Sequence, residues 1–402
     1  MRVALLSRAA HPLHPPGGLE RAVYHLASHL QKRGVETILV TRPPTGREAF
    51  PGETRFVEYG SVGFRHGSVA DRALLYPSFA KRLGEEAARL VQEGRVDLVH
   101  AQGLTALGYG RRRAESPSLK APLVMNPQGM EEHKATGLKG LLLGRLKRLS
   151  REAARLSDRV IATDEVTRGE VEDLLLVPPP KIAVLPNGID PEELARLTPD
   201  DPRGVLGRAL PSLRGSSPLF VSVGRLEAYK GFSDILEAIA RVAGRLPEGW
   251  AWAVVGNGPE RAALESRVQG LPILGSRVHF LGAVDGPLLH TLYASADVFV
   301  HATRYEGSSL VTLEAMAHGL PVVATRAGGI PDKVVDQETG FLVEPGNVDE
   351  LADALVRLGG DPPMRRAFGE RGKARALRDF SWGELARRTV CLYDELLAGV
   401  SE

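Results

Sequence analysis

Two carboxylates stand eight residues apart in the segment from Glu306 to Glu314, around the predicted start of a helix. Gly307 allows a tight turn there, and Ser308 or Ser309 can cap the helix. Such a helix start presents unpaired backbone N–H groups to a ligand. Because a carboxylate accepts hydrogen bonds at two oxygens, one Glu can hold sugar hydroxyls and the other those of a ribose. Taken alone, the segment fits an ordinary helix start with a surface Glu equally well.

A second group of candidate ligands follows the predicted strand 219–223. Gly224 is succeeded there by Arg225 and then by Lys230-Gly231. Cations at the carboxyl end of a strand in an open α/β sheet point into the crevice where ligands bind. Two positive charges match a diphosphate, and Arg can bind it bidentately. Two isolated surface cations are the alternative, which the nearby glutamates make the weaker interpretation.

A third element is the pair Gly17-Gly18, which lies between the predicted strand 3–7 and a helical pattern. Glycines at this place let the backbone approach a phosphate or a sugar closely. Most Gly-Gly pairs are simply turns, so this pair is informative only beside the other two elements.

Together these segments make the chain resemble a known family, the family 4 retaining glycosyltransferases of the GT-B fold. The resemblance covers nearly the whole chain and is most specific in the second half. Its pieces are Gly17-Gly18 with Glu20-Arg21, Asp97-Leu-Val-His100, Asp158-Arg-Val-Ile-Ala162, Leu185-Pro-Asn-Gly-Ile-Asp190, Gly224-Arg225-Leu with Lys230-Gly231, Val255-Gly256-Asn-Gly258-Pro259, Ala296-Asp297-Val, and the Glu306 to Glu314 segment.

The resemblance implies a role for each candidate. It implies that Arg225 and Lys230 hold the diphosphate of a nucleotide-sugar donor, that Glu314 binds its ribose, and that Glu306 binds the transferred sugar. The remaining predicted donor-binding residues come from the two glycine-containing loops and the helix start: Gly17, Gly18, Asn257, Gly307, Ser308, Ser309 and Leu310. The resemblance also implies retention of anomeric configuration, with the acceptor hydroxyl deprotonated by the departing phosphate.

The chain departs from the family pattern at one place. Relatives often carry His-Gly after the fourth strand of the first domain, whereas this chain has Gln128-Gly129. Gln donates a hydrogen bond to a sugar hydroxyl but cannot serve as a general base. His100 and His133 are close enough in sequence to compensate, although a lone His is more often structural. The predicted catalytic residues are therefore Glu306, Gln128 and His100.

The fold class predicted from the pattern is α/β, with two Rossmann-like doubly wound domains facing each other across a cleft, as the GT-B resemblance implies. Helix-sized segments separate most of the short β-branched runs, which is typical of parallel sheets. The predicted strands are 3–7, 36–40, 98–101, 123–125, 159–163 and 182–185, then 219–223, 251–255, 278–281, 298–301, 322–325 and 340–343. We expect an acceptor-binding domain over 1–186, a donor-binding domain over 187–382, and a final helix over 383–402 that packs back on the first domain.

Composition agrees with a globular enzyme. The chain has 402 residues, of which 43% are hydrophobic and 25% charged, and a single cysteine, Cys391. No apolar run approaches the roughly 20 residues that cross a bilayer, and residues 3–6 are too short for a signal-peptide core. We therefore expect a cytoplasmic protein.

The charge is uneven along the chain. Residues 1–186 carry 28 Lys and Arg against 20 Asp and Glu, and the remainder carries 23 against 29. The densest basic part, 139–155, interleaves cations with leucines, which can lie on an anionic membrane surface at its inner face. The alternative is a domain helix whose leucines are in the core. No aromatic residues interleave with these cations, so nucleic acid is not an expected partner.

No Asp-x-Asp occurs in the chain, so the usual carboxylate pair for a divalent metal is missing. His25 and His29 share a helical face but have no obvious third ligand, and we interpret them as a surface pair. We thus expect a metal-independent hexosyltransferase without a cofactor, whose substrates are a UDP-, GDP- or ADP-sugar and a glycan or lipid-linked acceptor of cell-surface synthesis. Two alternatives are a GT-B-fold epimerase or hydrolase of the sugar nucleotide, and a non-catalytic partner subunit that binds it.

Overall fold

The computed structural model describes residues 1–15, 17–46, 49–60, 69–127, 130–135, 137, 140 and 143–399. The chain divides into two compact units. Unit 1 comprises residues 1–187 and 382–402, and unit 2 comprises residues 188–381.

Unit 1 is built on a parallel seven-stranded sheet in the order β3-β2-β1-β4-β5-β6-β7. Its strands are β1 (Arg2–Leu6), β2 (Glu36–Thr41), β3 (Glu53–Phe56), β4 (Leu98–Gln102), β5 (Leu123–Asn126), β6 (Arg159–Ala162) and β7 (Ile182–Val184). The helices that alternate with them are α1 (Gly18–Gln31), α2 (Val69–Gln92), α3 (Ala106–Glu115), α4 (Glu131–Lys134), α5 (Gly144–Leu156) and α6 (Glu165–Leu175).

Unit 2 contains a parallel six-stranded sheet in the order β10-β9-β8-β11-β12-β13. Its strands are β8 (Leu219–Val223), β9 (Ala251–Val255), β10 (Val278–Gly282), β11 (Val298–His301), β12 (Val322–Thr325) and β13 (Gly340–Val343). Its helices are α7 (Pro191–Leu197), α8 (Pro202–Ala209), α9 (Phe232–Val242), α10 (Arg261–Gln269), α11 (Pro272–Gly275), α12 (Gly286–Ser295), α13 (Leu310–Ala317), α14 (Val348–Gly360) and α15 (Pro362–Asp379).

Both sheets are covered on their two faces, which explains why their strands are continuous apolar runs. In β8 all five residues are buried, and successive side chains enter different apolar clusters: Phe220 packs on one face, and Val221 on the other. Parallel sheets with helices on both sides require this pattern. The predicted α/β class with two doubly wound parallel sheets is confirmed.

The last helix, α16 (Trp382–Ala398), belongs to unit 1. Trp382, Leu385 and Tyr393 share an apolar cluster with the face of β1 that carries Val3 and Leu5. The helix thus completes the core of unit 1. In the part of the chain that the structure describes, no helix combines the length and apolar character needed to cross a membrane.

Helices α2 and α3 of unit 1 approach each other through glycines. A Cβ added to Gly84 would overlap the backbone of Gly108 and Tyr109, and one added to Gly108 would overlap the carbonyl of Ala80. These two positions therefore admit only hydrogen on the α-carbon. Gly169 within α6 is different, because an added Cβ there would meet nothing within 4 Å.

We expect Gly84→Ala to lower the free energy of unfolding of unit 1 by about 1–3 kcal/mol, since the methyl group forces the helices apart. Gly169→Ala is the matched control and should raise it by up to about 1 kcal/mol, because Ala is the better helix former. Chemical denaturation followed by circular dichroism measures both. Equal effects of the two substitutions would contradict the close helix contact.

Candidate functional site

The predicted cations and carboxylates of unit 2 follow two adjacent central strands. Arg225 and Lys230 come after β8, and Glu306 comes after β11. The strand order reverses direction between these two strands. In open α/β sheets the crevice outside the carboxyl ends at such a switch point is where ligands bind. The sheet topology thus brings the two sequence segments to one edge.

Lys230, Glu306 and His301 form a compact ionic cluster at this edge. Lys230 Nζ donates to Glu306 Oε2 at 2.8 Å, and His301 Nε2 donates to the same oxygen at 2.8 Å. The side chains of Lys230 and Glu306 are 16% and 15% exposed, and that of His301 is 3% exposed. The pair at the heart of the predicted site therefore exists in the folded unit, with a histidine that the sequence analysis did not include.

Glu306 is an ionised carboxylate in this environment. Burial alone would raise its pKa, but the hydrogen bond and charge of His301 and then those of Lys230 hold the pKa at about 2. A group with so low a pKa stays negatively charged at every ordinary pH. Glu306 can accept hydrogen bonds or stabilise positive charge, but it cannot donate a proton.

The loop after β8 is fastened directly to the loop after β11. Gly231 takes a left-handed conformation with a φ of 70° at the start of α9, where a Cβ would overlap the carbonyl oxygen of Ala302. The carbonyl of Tyr229 accepts from the N–H of Arg304 at 2.7 Å and from the hydroxyl of Thr303 at 3.2 Å. Backbone contacts of Tyr229 and Gly231, the two neighbours of Lys230, thus hold Lys230 next to Glu306.

The backbone of Glu306 rests on a glycine from a third strand connection. Gly328, after β12, has a φ of 52°, and a Cβ there would overlap the carbonyl of Glu306. The N–H of Gly329 next to it donates to the carbonyl of Gly307 at 3.3 Å. Gly328 and Gly329 support the site, and the sequence analysis did not single them out. Consecutive glycines two residues after a buried strand were the available signal.

Helix α13 begins beside this cluster without a side-chain cap. Ser309 occupies the N-cap position, but its hydroxyl bonds to that of Thr312 at 2.8 Å, and it caps no backbone N–H. Ser308 Oγ is buried without a hydrogen-bond partner among the described residues. The expectation that one of these serines caps the helix is wrong. The first N–H groups, including that of Leu310, stay available to a ligand.

The space around Gly307 agrees with this arrangement, because an added Cβ would meet nothing within 4 Å. Its φ is not in the left-handed region, so the residue is not required for a strained turn. The glycine leaves room beside Glu306 instead. A ligand group can occupy that room next to the helix start.

Glu314 lies about one turn into α13 and is half-buried. The hydroxyl of Tyr293, a fully buried side chain of α12, is 3.3 Å from Glu314 Oε2 and donates to it. Burial, and then the charge of Glu314, raises the pKa of Tyr293. The tyrosine therefore remains protonated and fixes the direction of this carboxylate.

Arg225 and Asn257 are placed less tightly. Arg225 is 78% exposed and pairs with Glu227 at 2.5 Å. Asn257 Oδ1 accepts from Arg261 at 2.5 Å, in a turn where Gly256 packs so closely on Gly224 that no Cβ fits. Neither side chain has a hydrogen bond or ion pair to Lys230 or Glu306 among the described residues. Arg225 must exchange Glu227 for a ligand if it is to bind one.

In unit 1 the loop that contains Gly17 and Gly18 leaves open space at the start of α1. Gly17 is the N-cap of α1 in extended backbone, and Glu20 folds its carboxylate back against the place where a Cβ of Gly17 would lie. A Cβ on Gly18 would meet nothing within 4 Å. The helix start has no side-chain cap, so its amides remain open. This geometry fits the predicted close approach of a ligand.

His100 is placed inside unit 1. It is 2% exposed, and its Nδ1 lies 2.6 Å from the hydroxyl of Tyr393 on α16. Burial lowers its pKa to about 4. The catalytic role of His100 stays a prediction, and in this position its side chain packs under the last helix. Gln128, the other predicted catalytic residue of this unit, lies outside the described residues.

Two further histidines of unit 1 differ from expectation. His25 and His29 are both buried, and His25 stacks on Trp382 with ring centroids 5.7 Å apart. Their interpretation as a surface pair is wrong, because α16 covers that face of α1. His133 in α4 is half-buried with Nε2 lacking a hydrogen-bond partner among the described residues, and burial lowers its pKa.

Two family models match the chain. The one described as Glycosyltransferase Family 4 matches residues 16–193, and the one described as Glycosyl transferases group 1 matches residues 217–361. Between them they span most of both units. The chain belongs to the family 4 glycosyltransferases. The Lys230–Glu306–His301 cluster of this glycosyltransferase lies within the residues that the group 1 model matches.

One relative is similar to this glycosyltransferase over nearly its whole length, and another over about three fifths of it. The D-inositol 3-phosphate glycosyltransferase of Actinosynnema mirum is 28% identical over 98% of this chain and 97% of that protein. The MMP alpha-(1->4)-mannosyltransferase of Mycolicibacterium hassiacum is 31% identical over 63% of this chain and 58% of that protein.

Solved structures establish the fold. Sucrose-phosphate synthase from Thermosynechococcus elongatus matches with a TM-score of 0.76 and 24% identity, covering 99% of both chains. Anabaena Alr3699/HepE in complex with UDP-glucose matches with a TM-score of 0.69 and 19% identity, covering 99% of this chain and 100% of that one. The glycosyltransferase has the GT-B fold that the sequence predicted.

We expect Tyr393→Phe to lower the free energy of unfolding of unit 1 by about 1–3 kcal/mol, because it leaves His100 Nδ1 buried without a partner. The kcat/KM of the enzyme should stay within about twofold of the parent, since the bond is structural. Tyr109→Phe, which removes another buried hydroxyl bond of unit 1, to the carbonyl of Ala121, is the control. A large fall in kcat with unchanged stability would restore His100 to the mechanism.

Proposed function

We propose that this glycosyltransferase moves a hexosyl group from a nucleoside-diphosphate sugar to an acceptor hydroxyl, with retention of configuration and without a metal ion. The observation that carries the proposal is the Lys230–Glu306–His301 cluster beside the uncapped start of α13. It combines a cation, a permanent carboxylate and open amides at the switch point of one sheet. Unit 2 is then the donor-binding part, and unit 1 supplies the acceptor site.

The diphosphate would be held by Lys230, by Arg225 and by the first N–H groups of α13. Negative charge grows on the diphosphate as the glycosidic bond breaks, so fixed positive groups there stabilise the transition state more than the ground state. Lys230 is already oriented by Glu306, whereas Arg225 leaves Glu227 to bind phosphate. These groups do the work that a carboxylate-bound metal does in other transferases.

Glu306 would bind hydroxyls of the transferred sugar. Its Oε2 accepts from Lys230 and His301, and a carboxylate has a second oxygen for the ligand. Its pKa of about 2 excludes a general-acid role, so its charge acts by orientation and electrostatics. Loss of the acceptor proton to the departing phosphate, with Gln128 binding a sugar hydroxyl, completes the proposed mechanism.

Glu314 would hold the ribose. The Tyr293 hydroxyl fixes one of its oxygens, and such a fixed carboxylate binds a pair of neighbouring hydroxyls with little loss of side-chain entropy. The fold relative bound to UDP-glucose, and another, the starch synthase IV catalytic domain, bound to ADP and acarbose, support a nucleotide-sugar donor. The names of the inositol-phosphate and mannosyl transferases support a hydroxyl acceptor and a hexose.

Peripheral contact with an anionic membrane would place the enzyme at the inner face of the cell membrane, where a lipid-linked or cell-surface glycan acceptor is made. The cations Arg145, Arg148 and Arg155 of α5 are exposed, while Leu146 is buried and Leu149 packs against the core. This part of the basic segment thus agrees with the alternative interpretation, a domain helix whose leucines pack in the core. Contact through α5 would therefore be electrostatic, without inserted leucines.

We expect Glu306→Gln to lower kcat by about 10²–10³-fold, because the charge and its bonds are lost from the reacting sugar. Glu314→Ala should mainly raise the donor KM, by about tenfold, since one charge-assisted contact to the ribose disappears. The donor is first identified by thermal shift against UDP-, GDP- and ADP-sugars. Turnover is then measured in EDTA against glycan and lipid-linked acceptors.

Glu248→Ala is the matched control, an exposed carboxylate of the same unit, and should leave both constants unchanged. Unchanged kcat in Glu306→Gln would remove the cluster from the mechanism. Turnover that stops in EDTA would contradict metal independence. Donor consumption without an acceptor product would point to an epimerase or hydrolase.

Flotation with vesicles of anionic and neutral lipid tests the membrane contact. We expect binding to anionic vesicles at low salt, weakened severalfold by Arg145→Ala/Arg148→Ala and by high salt, since the attraction is electrostatic. Arg366→Ala, an exposed cation of unit 2, is the control. Equal binding by all variants, or none by the parent, would refute contact through α5.

A further inference from the structure

Unit 2 contains a cavity formed by α7, α12, α13 and α15. Its volume is about 320 Å³, and Ala317 and His318 at the end of α13 line it. The proposed donor-site residues are not among the described residues that line it, although Glu314 lies one turn before His318 on the same helix. This cavity is therefore a separate place on the unit, at the lower end of the roughly 300–1,000 Å³ typical of ligand pockets.

The cavity joins an apolar wall to two nitrogen groups. Leu194, Ala195 and Leu377 provide much of the apolar lining, and Lys373 and His318 provide the nitrogen atoms. The described residues that line it include no carboxylate. Such a lining suits a small organic molecule that carries a negative group.

Lys373 has no carboxylate partner in the part of the chain that the structure describes. It makes no hydrogen bond or ion pair to any described residue, unlike the neighbouring Arg371 and Arg375 of α15, which donate to backbone carbonyls. Its charge is therefore available to a ligand. An ammonium group of this kind commonly binds phosphate as a point charge.

His318 is the second polar group, and its ring is held in place. Its Nε2 lies 2.9 Å from Nδ1 of His290, and its ring stacks on Tyr293 with centroids 5.7 Å apart at 19°. Its Nδ1 has no hydrogen-bond partner among the described residues. Burial, then His290 and then Lys373 lower the pKa of His318 to about 4. An anion in the cavity would oppose these effects and favour the protonated ring.

We propose that this cavity binds a small phosphate monoester, with Lys373 and His318 holding the phosphate and Leu194, Ala195 and Leu377 packing against its organic part. A phosphate monoester has nearly two negative charges at neutral pH: one pairs with the Lys373 ammonium, and the other favours uptake of a proton by the His318 ring, which is neutral without a ligand. A monocarboxylate satisfies only one of them. The dianion is therefore the better fit to both nitrogen groups.

The ligand would act on the donor site through a short chain of contacts. Tyr293 touches His318 with its ring and donates its hydroxyl to Glu314. Positive charge on His318 makes that hydroxyl a stronger donor and fixes Glu314 more firmly. Occupation of the cavity therefore tightens nucleotide binding, and by linkage the nucleotide tightens the phosphate ester equally. This step alone rests on the proposed ribose role of Glu314.

Isothermal titration of the full-length enzyme with phenyl phosphate tests the cavity, in a buffer free of phosphate. We expect saturable binding that Lys373→Ala and His318→Gln each weaken about tenfold, since each removes one charged contact. Ala195→Phe, which fills the cavity without changing charge, should abolish it. Arg366→Ala, on the same helix and outside the cavity, is the matched control and should bind normally.

The double variant Arg225→Ala/Lys230→Ala separates the two sites. It should keep its affinity for phenyl phosphate, whereas loss would show that the probe occupies the donor site and would overturn the proposal. Binding unaffected by Lys373→Ala or by Ala195→Phe would overturn it as well. Benzoate binding as tight as that of phenyl phosphate would refute the phosphate assignment.

The coupling is measured with the nucleoside diphosphate, among UDP, GDP and ADP, that stabilises the enzyme most. Its Kd should fall about threefold or more when phenyl phosphate saturates the cavity, and Tyr293→Phe should remove this difference while phenyl phosphate still binds. An unchanged Kd would refute the coupling. If no nucleotide binds, the proposed function fails, and the titrations of the cavity still decide this proposal.

Discussion

The contact between Lys230 and Glu306 determines how unit 2 is organised at the carboxyl ends of β8 and β11. Two largely buried, opposite charges stabilise each other only if geometry holds them together, because each has lost most of its water. Three strand connections provide that geometry: the loop after β8 brings Lys230, β11 brings His301 and Glu306, and the glycines after β12 support the Glu306 backbone. Removing Lys230 or Glu306 would leave the buried charge of the other without its opposite partner. The same bonds that stabilise the site therefore keep Glu306 ionised.

Glu306 and Glu314 are both acids on one short segment, yet their surroundings give them different characters. Glu306 accepts from two groups that carry or can carry positive charge, whereas Glu314 accepts from a neutral phenol. The first is a permanent anion beside the helix start. The second is oriented by a side chain that belongs to another helix and is itself in contact with His318. In the proposed mechanism the loop before α13 thus contacts the sugar, and the helix itself contacts the nucleoside.

Much of the fold could be predicted from the sequence, because parallel strands covered on both faces are continuous apolar runs. All the predicted strands are present, with ends that differ by at most one residue. The edge strand β3 was missed, since Glu53 and Arg55 alternate with exposed or half-exposed neighbours and give no apolar run.

The spacing of the motifs also predicted that Lys230 and Glu306 lie at the same edge of a sheet. It could not reveal His301, whose role depends on the direction of a side chain at the end of a buried strand. Likewise, the sequence around His100 does not predict that its Nδ1 forms a hydrogen bond with Tyr393, a residue far along the chain.

The position of α16 has a consequence for how the protein is made. Unit 2 is one continuous stretch of chain, but unit 1 is discontinuous, and Trp382 and Tyr393 fill its core from the far end. Domains generally fold as units while synthesis proceeds from the amino terminus. The apolar faces of α1 and β1 therefore stay uncovered until α16, which follows unit 2 in the chain, has been synthesised. Unit 2 can thus fold as a continuous segment before unit 1 is closed, and a change in α16 damages a core built mainly from the first half of the chain.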